Sequence, residues 1–152
     1  MLRMVLGEDV MHVSMRTASN AEHIPSVDTM TGHMSWKSGV HGSLAVTYAS
    51  TTMKMELEIV GSEGSLLLSR KTNGPGYRLC IHRNNEDVQE LDFGFGGIEQ
   101  EFLHFAAACQ QRGADINTPQ EALGDLKFVE ACLESGKADA HIDQSGYHDV
   151  GE

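Results

Sequence analysis

The chain is poor in positive charge. Its 152 residues hold 11 Lys and Arg against 22 Asp and Glu, a formal net charge of -11. Nucleic-acid binding relies on basic side chains against phosphates, and anionic membrane surfaces draw basic segments, so this balance argues against both partners. Cysteine is scarce too. Cys80, Cys109 and Cys132 form an odd, widely spaced set without a C-x-x-C pair, which points to free thiols in a reducing, cytoplasmic compartment. No apolar run approaches the ~18 residues of a membrane-spanning helix, and Met1–Leu6 is too short for the apolar region of a signal peptide. Trp36 is the single tryptophan and aromatics make up 6%, too few to favour a small protein that lines a sugar pocket with rings. No G-x-S-x-G occurs, and an acidic chain offers no electropositive setting for a Cys–His nucleophile.

What is present is alternation. Val10, His12, Ser14 and Arg16 alternate with Met11, Val13 and Met15, a strand with one apolar face that ends at Ala18-Ser19-Asn20. Pro25 marks the following segment as a loop. Met30, Met34 and Trp36 share one strand face, and Leu44, Val46 and Tyr48 share a face of the next. Register follows the buried face, so a three-residue loop Ser38–Val40 is expected, with Met34 opposite Leu44 and Met30 opposite Tyr48. Gly61-Ser62-Glu63-Gly64 turns the following pair and sets Ile59 opposite Leu66 and Leu57 opposite Leu68. Tyr77, Leu79 and Ile81 alternate next, then an Asn84-Asn85 turn, then Leu91 and Phe93.

The period then changes to that of a helix. Ile98, Phe102, Phe105, Ala106 and Cys109 recur at spacings of three and four, ending at Arg112-Gly113. Thr118-Pro119-Gln120-Glu121 is a capping box with proline at the first helical position. It opens a second helix with the stripe Ala122, Leu126, Val129 and Leu133, stopped by Gly136. Leu2–Gly7 reads as a helix end closed by glycine, and Ala140-His141-Ile142 as a short strand. The pattern predicts an α+β domain over residues 1–143, a mainly antiparallel open sheet with two C-terminal helices on one face. Residues 144–152 have little to bury and are expected to be mobile.

Several spacings invite chemistry. Gly94-Phe95-Gly96-Gly97 lies between a strand and a helix, but the dinucleotide fingerprint needs glycine where Glu99 stands. Glu99 and Glu101 also put negative charge where a pyrophosphate would dock. Glu101-x-x-His104 has the spacing of a carboxylate-bridged metal pair, yet such sites need two of these motifs and two further carboxylates. Cys80 and His82 share a strand face, but two ligands do not close a zinc site. His12, His33 and His41 could approach one another across strands. No metal site is expected.

Five stretches in order carry a family resemblance. Leu2-Arg3-Met4-Val5-Leu6-Gly7-Glu8-Asp9-Val10 resembles a helix end "l-R-x-x-l-G" before a long strand. Val27-Asp28-Thr29 with Lys37-Ser38-Gly39-Val40-His41-Gly42 resembles a "D-T … f-x-s-G-a-x-G" hairpin. Glu58-Ile59-Val60-Gly61-Ser62-Glu63-Gly64-Ser65-Leu66 resembles "e-i-x-G-s-e-G-s-l". Glu101-x-x-x-Phe105, and then Thr118-Pro119-Gln120-Glu121-Ala122-Leu123-Gly124-Asp125-Leu126, resemble two closing helices. Together they resemble the C-terminal domain of the glucose–fructose oxidoreductase, inositol dehydrogenase and rhizopine-catabolism (Gfo/Idh/MocA) family.

That resemblance implies an NAD(P)-dependent oxidoreductase of sugars, polyols or related alcohols. In the family an N-terminal Rossmann domain holds NAD or NADP and supplies the lysine of an E-K-P motif. A "D-x-G-x-H" segment opens the C-terminal domain and places an Asp and a His at the substrate. Neither the E-K-P motif nor the G-x-G-x-x-G fingerprint occurs here, and the D-x-G-x-H segment would lie just before Met1. The sequence thus reads as a truncated enzyme with no catalytic and no cofactor-binding residue of its own, inactive as an isolated chain. The loop Glu22–Asp28 corresponds to a rim of the substrate pocket, with His23 and Asp28 as candidate rim residues. The open sheet face packs on its counterpart in the family, so a homo-oligomer is expected. The alternative is a stand-alone interaction module derived from the same domain.

Overall fold

The computed structural model describes residues 2–113, 118–138 and 141–143, and the structural statements below concern these. The elements in chain order are α1 (Leu2–Leu6), β1 (Val10–Ala18), β2 (Thr29–Trp36), β3 (His41–Thr47), β4 (Glu56–Gly61), β5 (Gly64–Arg70), β6 (Tyr77–Arg83), β7 (Gln89–Phe93), α2 (Gly97–Cys109), α3 (Pro119–Ala138) and β8 (His141–Asp143). The α+β class read from the sequence is what forms, and every strand pairing is antiparallel. The strands divide between two four-stranded sheets, β3-β2-β1-β8 and β4-β5-β6-β7, where a single sheet was expected. They belong to two compact units, Met1–Ser50 with Asn117–Glu152, and Thr51–Ile116. The physical reason lies after Thr47. Its hydroxyl accepts the Ala49 N–H at 3.1 Å, and the hydroxyl-rich run Ser50-Thr51-Thr52 follows, a composition that favours local turns over a ladder. The tail 144–152 lies outside the described residues.

In the first unit, α3 lies on β1. Val10, Val13, Met15, Met34, Trp36, Ala131 and Cys132 form the buried core, with Leu6, Met30, Leu44 and Phe128 packed around it. Val10 joins Val13 and Met15 because the ladder slips by one residue between Val10 and His12. That bulge brings Val10 to the apolar face, where simple alternation would send it to the other. The face that α3 buries differs from the predicted one. Ala131, Cys132 and Ser135 are buried, whereas Leu126 and Val129 of the expected stripe are exposed. Small side chains let the helix axis approach β1, and the Ser135 hydroxyl accepts the Met15 N–H at 3.0 Å. α3 also runs through Gly136, the expected stop, to Ala138. Its start is as read: the Thr118 hydroxyl accepts the Glu121 N–H at 3.2 Å.

The β2–β3 hairpin keeps a three-residue loop but places it one residue earlier than expected, at Lys37–Gly39, so the register shifts. Met34 pairs with Gly42 and Met30 with Val46, while Leu44 faces Gly32. Trp36 N–H reaches the Val40 carbonyl at 3.0 Å, and Gly39, at φ +86°, takes the left-handed position that closes the loop. This register puts Gly42 under the Trp36 ring, where a Cβ would lie 3.1 Å from a ring carbon. α1, capped at Gly7 by a 2.8 Å bond to the Arg3 carbonyl, is latched to α3 through Arg3. Its guanidinium donates to the Glu121 carbonyl at 2.8 Å, to Asp125 at 3.3 Å and to Asp9. A side chain at Gly124 would strike that guanidinium at 2.5 Å.

The second unit is different. β4 and β5 pair as predicted, Ile59 with Leu66 and Leu57 with Leu68. Leu79, Ile81 and Leu91 extend the same apolar face across β6 and β7. Its other face carries an ion-pair cluster in which Arg78 holds Asp92 at 2.8 Å and Glu90 at 2.9 Å, and Lys71 reaches Asp92 at 3.0 Å. Hydrogen bonds from Arg78 and Lys71 draw the Asp92 carboxyl down to about 2. Yet among the described residues the buried apolar core contains none of this unit. The expectation that both helices cover one sheet face is corrected here: α3 covers the first sheet, and α2 has no buried residue. Full burial of a Leu, Ile or Phe side chain stabilises by about 1.5–3 kcal/mol, so this sheet lacks the main term that α3 supplies to the other.

Ser135→Ala leaves a buried Met15 N–H without its acceptor, and a loss of about 1–3 kcal/mol is expected. Urea unfolding monitored through Trp36 checks it. An unchanged midpoint would mean that the helix–strand bond contributes nothing.

Candidate functional site

The residues that the sequence nominates, His23 and Asp28, lie on the connection between β1 and β2. The two strands part after the Ala18–Thr29 pair, and the intervening loop has no ladder to satisfy its backbone. Asp28 takes over that task. Its buried carboxylate accepts the N–H of Asn20 at 2.8 Å and of Ala21 at 2.7 Å through one oxygen, and the Thr29 hydroxyl at 2.8 Å through the other. Its own N–H reaches the Ala18 carbonyl at 3.1 Å, and its carbonyl accepts the Tyr48 N–H at 2.8 Å. The Thr29 hydroxyl accepts from the Asn20 amide at 2.9 Å and meets the Thr47 hydroxyl at 2.8 Å. Ile24 N–H closes a turn on the Ala21 carbonyl at 3.0 Å.

Asp28 is thus a clasp that ties both ends of the loop together and to the end of β3. The N–H of Ala21, more than the Thr29 hydroxyl and the Asn20 N–H, holds its carboxyl below the ordinary carboxylate range, and the charge of His23 adds to this in a minor way. His23 is exposed on the loop, as is Glu22. The clasp was not legible in the sequence: the two N–H donors lie eight and seven residues before the carboxylate, beyond any local periodicity.

The other candidates are placed as follows. The register sets His12 and His41 on either side of Ser35, with His33 between Ser14 and Ser43. Among the described residues, no three His, Cys, Asp or Glu side chains come together to hold a metal ion. Cys132 is buried, and burial raises its thiol to about 11, a packing group rather than a nucleophile. Cys109, expected on a buried stripe, is exposed. Gly96 caps α2 without a side-chain bond, and Glu99 occupies its first turn. Phe95 stacks on Tyr77 with ring centroids 6.4 Å apart. This Gly-Phe-Gly-Gly segment does not fit a dinucleotide, since the acid opposes phosphate. A hollow of about 410 Å³ opens at the β4–β5 hairpin over Ile59, Leu66 and Ile81, rimmed by Glu63 and Arg83. No helix among the described residues is long and apolar enough to cross a membrane.

A carboxyl whose pKa is lowered by folding adds stability above the unfolded-state pKa and loses it as pH falls through the folded value. Asp28→Asn is therefore expected to lower the melting temperature at pH 7. The gap to the parent protein should close as pH drops below the ordinary carboxylate range. Thermal unfolding between pH 2 and 7 measures it, and equal melting temperatures at pH 7 would dismiss the clasp.

Comparison with known proteins places this fold. A profile described as "Oxidoreductase family, C-terminal alpha/beta domain" matches residues 1–143. No curated protein matches the chain. Among solved structures, the aldose–aldose oxidoreductase of Caulobacter crescentus, complexed with glycerol, superposes with a TM-score of 0.79 at 13% identity over 93% of this chain and 43% of its own. An oxidoreductase of Agrobacterium radiobacter in complex with NAD+, L-tartaric acid and magnesium gives 0.78 at 20% identity, over 95% and 46%. The WlbA dehydrogenase of Bordetella pertussis, in complex with NADH and UDP-GlcNAcA, gives 0.74 at 19%, over 93% and 40%. The chain spans less than half the length of each of these structures. By the match over residues 1–143, the chain belongs to the Gfo/Idh/MocA oxidoreductase family, of which it presents the C-terminal α/β domain.

Proposed function

We propose that this chain is the substrate-side and oligomerisation domain of an NAD(P)-dependent oxidoreductase acting on a sugar, polyol or related alcohol in a reducing, cytoplasmic compartment. The observation that carries this is the family match over residues 1–143, together with solved neighbours whose bound molecules are nicotinamide dinucleotides, a nucleotide sugar, a hydroxy acid and a polyol. The division of labour follows from chemistry. Hydride transfer needs a nicotinamide, and these 152 residues contain no fingerprint loop to hold one. What they contribute is the β1–β2 loop. In this reading the exposed His23 meets the hydroxyl or carboxylate groups of the substrate, and Asp28 positions the loop that presents it.

The oligomerisation role rests on the face of the first sheet that α3 leaves open. Register sets Arg16, Thr31 and Ala45 in one row of it and Ser14, His33 and Ser43 in the next. A face of mostly short side chains, with Arg16 and His33 as the longer ones, packs against a second copy about a two-fold axis.

Two measurements test these roles. Calorimetry of this chain with NADH and with NADPH is expected to show no binding in the micromolar range, and binding there would overturn the division of labour. Light scattering is expected to give a dimer mass, and Ala45→Arg, beside Thr31 in the row of Arg16, is expected to weaken it about tenfold or more, the effect of ~1.4 kcal/mol. A parent protein that stays monomeric at high concentration would overturn the oligomerisation role.

A further inference from the structure

An asparagine can react with its own backbone. The amide nitrogen of the next residue attacks the side-chain carbonyl carbon, and the five-membered ring that forms opens in water to a carboxylate. Two things block this: a hydrogen bond that holds either group, and a Cβ on the next residue that crowds the nitrogen. The chain has asparagine at Asn20, Asn73, Asn84, Asn85 and Asn117. Three of these are blocked. The Asn20 amide donates to the Thr29 hydroxyl at 2.9 Å, and the Ala21 N–H donates to Asp28 at 2.7 Å. The Asn84 amide donates to the Ser62 carbonyl at 3.0 Å. The nitrogen after Asn85, that of Glu86, donates to the Arg83 carbonyl at 3.3 Å. Ala21, Asn85 and Glu86 each carry a Cβ as well. Asn117 lies outside the described residues and precedes the β-branched Thr118.

Asn73 escapes all of these constraints. It is exposed on the connection between β5 and β6, as are Gly74 and Pro75 beside it. Among the described residues, neither its carboxamide nor the Gly74 N–H has a hydrogen-bond partner. Gly74 has no Cβ. At φ +97° it takes a conformation that favours glycine, with nothing within 4 Å of where a Cβ would lie. The connection is closed at its base by the Arg70–Tyr77 pair and by the Lys71 N–H on the Gly76 carbonyl at 3.0 Å. Asn73 lies on the crest between them, open to water.

We propose that Asn73 is a self-modifying site, which converts without an enzyme to an aspartyl or isoaspartyl residue. The Gly74 nitrogen bonds to Cγ of Asn73, and the bond from Cγ to the side-chain nitrogen breaks. That nitrogen leaves as ammonia with the proton that Gly74 gave up. A water molecule then opens the ring. Opening at one carbonyl gives the aspartyl product. Opening at the other gives the isoaspartyl product, in which the main chain runs through Cβ and Cγ and is one atom longer. The balance is carboxamide plus water to carboxylate plus ammonium, with no oxidant or metal. Either product adds a negative charge to a chain already at -11. The charge lands two residues from Lys71, whose ammonium holds Asp92 at 3.0 Å. The isoaspartyl product also lengthens the connection that the Lys71–Gly76 bond closes.

Peptide mapping by mass spectrometry follows the folded full chain over time in mildly alkaline buffer, and a methyltransferase specific for isoaspartate reads the second product. Asn73 is expected to convert about tenfold or more faster than Asn20, Asn84 or Asn85, since local hydrogen bonds hold the others. The isoaspartate signal is expected to fall by a similar factor in Asn73→Gln, whose longer side chain must close a six-membered ring. A guanidinium-unfolded sample separates structure from sequence: Asn20 and Asn84 are expected to speed up about tenfold there, while Asn73 changes little. Conversion at Asn73 no faster than at the others, or an undiminished isoaspartate signal in Asn73→Gln, would overturn the proposal. So would a large acceleration of Asn73 on unfolding, since that means the folded connection holds it. None of these readouts involves nicotinamide or substrate, so they stand apart from the enzyme-domain reading.

Discussion

An apolar sheet face demands a second layer, and this demand governs the whole molecule. Single hydrogen-bonded sheets are poor folding units because half of their side chains gain nothing from the ladder. The first unit meets the demand with α3. Ala131, Cys132 and Ser135 are small enough to bring the helix down on Val13 and Met15, and Ser135 adds a hydrogen bond to the strand backbone. The second unit has the same kind of face without a layer on it. Its apolar residues are half-buried or exposed, and its ion pairs lie on the other side.

The same demand for satisfied groups shapes the β1–β2 loop. A loop can present a side chain to a ligand only if its backbone is held, and the β1–β2 loop is held by one buried carboxylate. Asp28 satisfies two N–H groups and a hydroxyl, and its main chain binds Ala18 and Tyr48. A carboxylate so engaged has little left to offer a ligand, whereas His23 on the loop it holds is exposed. The Arg3 latch works on the same principle at the other end of β1: one cation gathers Asp9, Asp125 and Glu121, so that a five-residue helix too short to persist alone stays on α3.

Much of the local structure was legible. Strand alternation, the Thr118 capping box, the glycine end of α1 and the β4–β5 register all depend on residues within a few positions of one another. The failures share a different character. The β2–β3 register slipped because glycine at 32 and 42 takes the places across from Leu44 and Met34, which an apolar-on-apolar rule does not foresee. Helical periodicity selects leucines for the inner face of α3, whereas close packing on a strand selects Ala, Cys and Ser. Val10 changed face through a bulge, an irregularity that alternation cannot register.

By itself, then, the sequence determined the antiparallel strands, the two long helices, the α+β class and, through five ordered motifs, the family. These follow from side-chain periodicity and capping chemistry, which act over one or two turns of chain. Only the tertiary structure decided that the strands split into two sheets, that Asp28 turns inward on Asn20 and Ala21, and that α3 rather than α2 supplies a covering layer. Those outcomes depend on which surfaces meet across large separations in the chain, where fit and the competition of backbone groups for partners outweigh local preference.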